Sequence, residues 1–325
     1  MFELIQGKVK RCKLTKNKLQ LVDAIVEILN VDLRDYLPVT VRQVHYNLLN
    51  YQPLRHTGKP QSTYVNDKAS YQECSKILNI MRIDGMIPGE FIIDETRPVE
   101  LFTSNYQNSR ELIQNDLRDF FRGYKRDYLQ SQPHHIEVVA EKLTVKRVID
   151  KISRYYCTPY TITRGYCSYP VKMDLVNRYK KSGKDNLILI FVSDFDPDGL
   201  EIQQSFARSI RDDFKIDESK IKIYRAGLML EQIRELRAGG VEIQTNFAKP
   251  DASKFKEFMK LYGKEVYELE AIPPATLETF LENAIKSVID KNLFNQEIEI
   301  EARERKELEA LREKVIEALP HDLIA

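Results

Sequence analysis

Only four cysteines occur in 325 residues, Cys12, Cys74, Cys157 and Cys167, and no two of them form a CxxC pair. No histidine stands at zinc spacing from them, so reduced thiols are expected rather than a metal-thiolate centre or a disulfide framework. No run of 18 apolar residues exists, which excludes a membrane-spanning helix. The opening "MFELIQGKVKRCK" lacks the apolar core of a secretory signal, and a cytoplasmic protein is the expectation. A GxxxxGK[ST] phosphate loop is missing, as are internal repeats and low-complexity tracts.

What is present describes an ordinary globular chain, 42% hydrophobic and 30% charged, long enough for two or three domains. The net charge of +1 hides local bias. "GKVKRCKLTKNK" (7–18) carries six cations and no acid, a run able to follow a phosphate backbone or to serve as a solvated helix face. Helical spacing over 17–30 gives a first helix, and "LPVTVRQVHYNLLN" a second. Thr40 with Gln43 three residues later spells a capping box at its start. A third helix near 66–83 and a turn with a short strand in "GMIPGEFIIDETR" complete the order of a winged-helix module over 1–100. Residues 101–132 read as a helical connector. From 133 to 280 strands and helices alternate, the signature of a mostly parallel, Rossmann-like sheet covered on both faces. The last segment, 281–325, reads as helices, with Leu308, Leu311, Val315 and Leu319 on one stripe. The fold class expected is α/β with an N-terminal helical domain.

"LILIFVSDFDPDGLEI" (187–202) gathers Asp194, Asp196 and Asp198 just after the most apolar strand. Ligands of open α/β sheets bind beyond the carboxyl ends of strands. Glu141 closes the strand "EVVAEK" in the same way, so Glu141, Asp194 and Asp196 form a candidate set for Mg²⁺ or Mn²⁺, with Asp198 beside them. Three other readings compete. A calcium loop fails because its twelfth position is Ser205 and a strand precedes it. A phosphoaspartate site lacks independent support. A solvated turn shaped by Pro197 and Gly199 stays open.

The Glu141 and "DFDPDG" pair resembles the Toprim domain of topoisomerases, primases and some nucleases. "SDFDPDGLEI", "TRGYCSYPVKM" (163–173) and "YELEAIPPATL" (267–277) narrow the resemblance to the topoisomerase VI A subunit and the meiotic double-strand-break transesterase, in their solitary bacterial or phage form. Upstream, "TVRQVHY" (40–46) is similar to that family's "KRDIYY" segment, although Val41 and His45 depart from it. The resemblance implies a winged helix followed by Toprim, Tyr46 as a nucleophile and Arg42 as its phosphate-binding neighbour. Arg42 and Tyr46 are i and i+4 and so share a helix face. It further implies catalytic Mg²⁺ held by Glu141, Asp194 and Asp196. A homodimer is implied, in which Tyr46 of one protomer meets the acidic site of the other. Since the chain has no phosphate loop, any ATPase subunit that the resemblance implies would be a separate partner.

The expected activity is Mg²⁺-dependent cleavage of double-stranded DNA by tyrosine transesterification, an isomerase-like chemistry leaving 5′-phosphotyrosyl breaks. Lys8, Lys10, Arg11, Lys13 and Arg164 are the candidate DNA contacts, and nucleoid association follows from them. A Toprim endonuclease cutting by metal-activated water is the alternative within the enzyme class. A non-catalytic DNA-binding subunit is the alternative outside it.

Overall fold

The structure is a computed structural model that describes residues 14, 18–50, 64–93, 106, 108–241, 243–247 and 253–318. Lys8, Lys10, Arg11, Lys13, Cys12 and Leu319 lie outside these described residues.

The N-terminal part is helical. Helix α1 (Leu19–Asn30) turns Val22, Ile25, Ile28 and Leu29 inward, and α2 (Val41–Asn50) packs on it and on α3 (Lys68–Ile83). The capping box at the start of α2 forms: the Thr40 amide donates to Gln43 Oε1 at 2.8 Å, and the Gln43 amide donates to Thr40 Oγ1 at 3.3 Å. Among the described residues, the strand expected in 85–97 is represented by a parallel bridge between Val39 and Ile92, with a 3-10 turn at Gly89–Phe91 before it; residues 94–97 lie outside the described residues. Helix α4 (Ser109–Asp119) follows and buries no residue.

A four-stranded sheet forms the second part, in the order β2-β1-β3-β4 with every pairing parallel. The strands are β1 (His134–Ala140), β2 (Tyr160–Ile162), β3 (Asn186–Val192) and β4 (Ile221–Gly227). The unbroken apolar run of β3, at the centre of the sheet, suits a strand buried on both faces, whereas β4 at the edge alternates half-buried with exposed residues over most of its length. Helix α5 (Lys146–Tyr156) covers one face together with α10 (Pro274–Val288). Helices α6 (Tyr169–Ser182) and α7 (Pro197–Asp212) cover the other, where Leu175, Phe206 and Ile210 meet Leu187, Leu189 and Phe191.

Beyond the sheet, α8 (Leu230–Ala238) leads to β5 (Asn246–Phe247), and α9 (Ser253–Tyr262) leads to β6 (Glu265–Val266). β5 and β6 pair antiparallel, a short ribbon within 133–280, where a mostly parallel sheet is expected. Helix α11 (Lys291–Glu317) also departs from expectation. Leu311 on its apolar stripe is exposed, while Glu297 and Glu301 are buried. Arg126 supplies the reason, because its guanidinium reaches Glu297 and Glu304 and its amide donates to Glu301. A charged seam docks this helix, not the leucine stripe. Among the described residues no helix is long and apolar enough to cross a membrane.

Candidate active site

Parallel pairing of β1 with β3 sets Ala140 opposite Val192, so the residues after each strand emerge side by side. The Glu141 amide donates to the Val192 carbonyl at 2.9 Å, and the Asp194 amide donates to Glu141 Oε2 at 3.3 Å. Asp196 then turns the chain into α7. Its Oδ1 accepts from the Gly199 amide at 2.6 Å as an N-cap, and Pro197 occupies the first helical turn. Gly199 is required by crowding, since a Cβ there would lie 2.3 Å from the Asp194 carbonyl oxygen. Asp198 is exposed on the first turn of α7. Arg164 is exposed at the rim with a left-handed backbone, and its amide donates to the Glu141 carbonyl at 2.9 Å.

The carboxylates are already engaged with the protein. Asp194 is 2% exposed; its Oδ1 accepts from the Leu269 amide at 2.8 Å, and its Oδ2 lies 2.7 Å from the Lys142 ammonium. That ammonium is also 3.7 Å from Glu141 Oε1. Arg225 ties down the same loop by donating to the carbonyls of Asp194 and Leu228. Burial, then the charge of Asp194, pushes the Glu141 carboxyl up to about 7. Burial likewise raises Asp194 and Asp196. Burial opposes the Lys142 charge, but Asp194 and Glu141 outweigh it and hold the ammonium above its ordinary value. Burial lowers Arg225 to about 10.

The segment 265–271 joins this cluster to α2. Phe195 and Tyr267 exchange two backbone hydrogen bonds of 2.9 and 3.0 Å, which lays the segment against the acidic loop. The next residues then face the tyrosine helix. The Tyr46 hydroxyl donates to Glu268 Oε2 at 2.6 Å, and Glu268 Oε1 accepts from Asn246 at 3.0 Å. Arg42 stands 3.9 Å from both Glu268 Oε2 and Glu270 Oε1. Thr144 donates to Glu270 Oε1, whereas Glu270 Oε2 is buried with no hydrogen-bond partner among the described residues. Tyr46 and the acidic loop thus belong to one network within a single chain.

Among the described residues no three His, Cys, Asp or Glu side chains stand grouped so as to hold a metal ion. The reason is visible in the contacts above, because Asp196 serves as a helix cap and Lys142 lies between Asp194 and Glu141. The donor chemistry nevertheless suits a hard cation. Oxygen ligands predominate, their proton affinities are raised, an ammonium already sits between two of them, and a neighbouring carboxylate oxygen is orphaned.

Lys142, Arg225, Glu268 and Glu270 carry this site but had no assigned role from the sequence. Lys142 is the neighbour of Glu141 in "AEK", and both glutamates stand in "YELEAIPP", so the text held a signal without a geometry. Neither any protein-family model nor any curated protein matches the chain.

Proposed function

We propose that this protein cleaves double-stranded DNA, with Tyr46 as the nucleophile and the Glu141, Asp194, Asp196 cluster as the site of a divalent cation. In this reading the N-terminal helices form a winged-helix DNA-binding unit and the parallel sheet is of Toprim type, in the manner of the topoisomerase VI A subunit. The observation that carries it is the unbroken series of contacts from Tyr46 Oη through Glu268 and the Leu269 amide to Asp194, Lys142 and Glu141. A phenol, a half-exposed guanidinium and a carboxylate cluster are brought to one place.

Arg42 binds the scissile phosphate and offsets its developing charge, since neither of its 3.9 Å ion pairs is a close hydrogen bond. Mg²⁺ or Mn²⁺, held by Glu141 and Asp194 with Asp196 and Asp198 adjoining, would polarise the phosphate and stabilise the leaving 3′ oxygen. Arg164 at the rim contacts the DNA backbone. Each chain cuts one strand with its own Tyr46 and acidic cluster, in place of the exchange between protomers that the resemblance implies, and two chains acting as a homodimer produce a double-strand break. Transfer of label from internally ³²P-labelled DNA to the protein, read on a denaturing gel, tests the reading; Tyr46→Phe should abolish the transfer.

One observation favours a second reading. Tyr46 is 3% exposed and its hydroxyl is already committed to Glu268. Burial, then that hydrogen bond, pushes the phenol above its ordinary value. A nuclease that cuts with water at the carboxylate cluster, using α1–α3 only to bind DNA, fits that burial. Metal-dependent breaks free of attached protein would support it.

A further inference from the structure

A phenol with a reference pKa near 10 is almost entirely protonated at neutral pH. Burial and the Glu268 contact make Tyr46 still harder to ionise. A nucleophilic Tyr46 therefore needs a group that takes its proton as the oxygen–phosphorus bond forms. Such a group must lie within hydrogen-bond reach of Oη and be held there by other contacts.

Glu268 meets both conditions. Its Oε2 is 2.6 Å from Tyr46 Oη, and its Oε1 is anchored by the Asn246 side-chain amide at 3.0 Å. The anchoring residue sits on β5, whose partner β6 leads directly into the segment that carries Glu268. Asn246 is itself reached by Asn66 at 3.4 Å from the tyrosine side. Tyr46 also lines a cleft of about 440 Å³ with Arg42, His45, Asn66, Asp67, Lys68 and Tyr71, room for a phosphodiester beside Arg42 and Lys68. The charged and titratable groups around Glu268 are Arg42, His45 and Tyr46 on α2 and Glu270 two residues on. Burial holds the His45 imidazole below its ordinary value, and its Nδ1 is taken up by Tyr64 at 2.6 Å, so it is not the acceptor.

We propose that Glu268 is the general base for Tyr46, acting within the same chain; the proposal rests on the nucleophile reading above. In the step, the Tyr46 O–H bond breaks and its proton passes to Glu268 Oε2. The phenolic oxygen bonds to phosphorus. The bond from phosphorus to the 3′ oxygen breaks with its electron pair, and that oxygen takes a proton from water. Arg42, 3.9 Å from both Glu268 and Glu270, faces the phosphate during the step.

The test is Glu268→Gln, which keeps the size and a hydrogen-bonding oxygen but removes the basic site. At pH 7 covalent protein–DNA complex should form about 100-fold or more slowly than in wild type. At saturating Mg²⁺ its rate should climb about tenfold per pH unit as hydroxide replaces the lost base, a steeper slope than that of wild type. Independently of activity, the ¹³Cζ resonance of Tyr46 should titrate at lower pH in Glu268→Gln, because a neighbouring negative charge is gone. Wild-type rate and wild-type pH dependence in Glu268→Gln would overturn the assignment while leaving Tyr46 as nucleophile. Covalent complex persisting in Tyr46→Phe, or none in wild type, would overturn the parent reading and this one with it.

Discussion

The Lys142 ammonium lies 2.7 Å from Asp194 Oδ2, so a fixed cation already occupies the mouth of the acidic cluster. A divalent ion bound by Asp194 and Glu141 has to displace it. Lys142→Gln should then have two opposite effects. Without divalent ions the variant should be less stable than wild type, because buried Asp194 and half-buried Glu141 lose their partner. With Mg²⁺ its gain in melting temperature should exceed that of wild type. Thermal melts in EDTA and across a Mg²⁺ titration measure both; an unchanged Mg²⁺ response would contradict the displacement.

Glu141 gives the site a pH dependence. Its carboxyl is raised from 4.5 to about 7 in the folded protein, by burial first and by Asp194 second. A raised folded-state value means that the native state binds the proton more tightly than the unfolded one. The stability this group contributes is complete below about pH 4.5 and is lost as pH rises through about 7. In EDTA, the melting temperature of wild type relative to Glu141→Gln should therefore fall between pH 5 and pH 8, roughly the interval the two values bracket. Mg²⁺, which requires the ionised carboxylate, should bind more tightly across the same interval. A wild-type difference that rises with pH would refute the assignment.

Gly199 offers a purely steric test. A methyl group there would meet the Asp194 carbonyl at 2.3 Å, and backbone, not a flexible side chain, would have to move. Gly199→Ala should cost about 2 kcal/mol or more. It should also weaken Mg²⁺ binding by pulling Asp194 away from Glu141, the carboxylate it would share the ion with. Urea unfolding and a Mg²⁺ thermal shift on the same variant check the two together, and wild-type values in both would show that the loop is not constrained as described.

Much of this arrangement is legible in the sequence where the determinants are local. The apolar run of β3 and the Thr40–Gln43 box announce their elements, because periodicity and capping act within a few residues. The acidic loop is legible for the same reason. The Tyr46–Glu268 contact is not, since its partners lie 222 residues apart and meet only after Phe195 and Tyr267 pair. Asp196 looks like a ligand in the sequence and serves also as a helix cap, two uses that one letter cannot separate. The leucine stripe of α11 misleads because Arg126, far upstream, makes it possible to bury Glu297 and Glu301 instead. The β5–β6 ribbon is too short for any periodicity to register.

The most direct measurement is cleavage of supercoiled plasmid by the purified protein with Mg²⁺ or Mn²⁺, quenched with SDS and run with and without proteinase K. Wild type should give linear DNA that enters the gel only after proteolysis, and both Tyr46→Phe and Asp194→Asn should give none. Metal-dependent breaks that run free of protein and survive Tyr46→Phe would contradict the account and leave hydrolysis at the carboxylate cluster in its place.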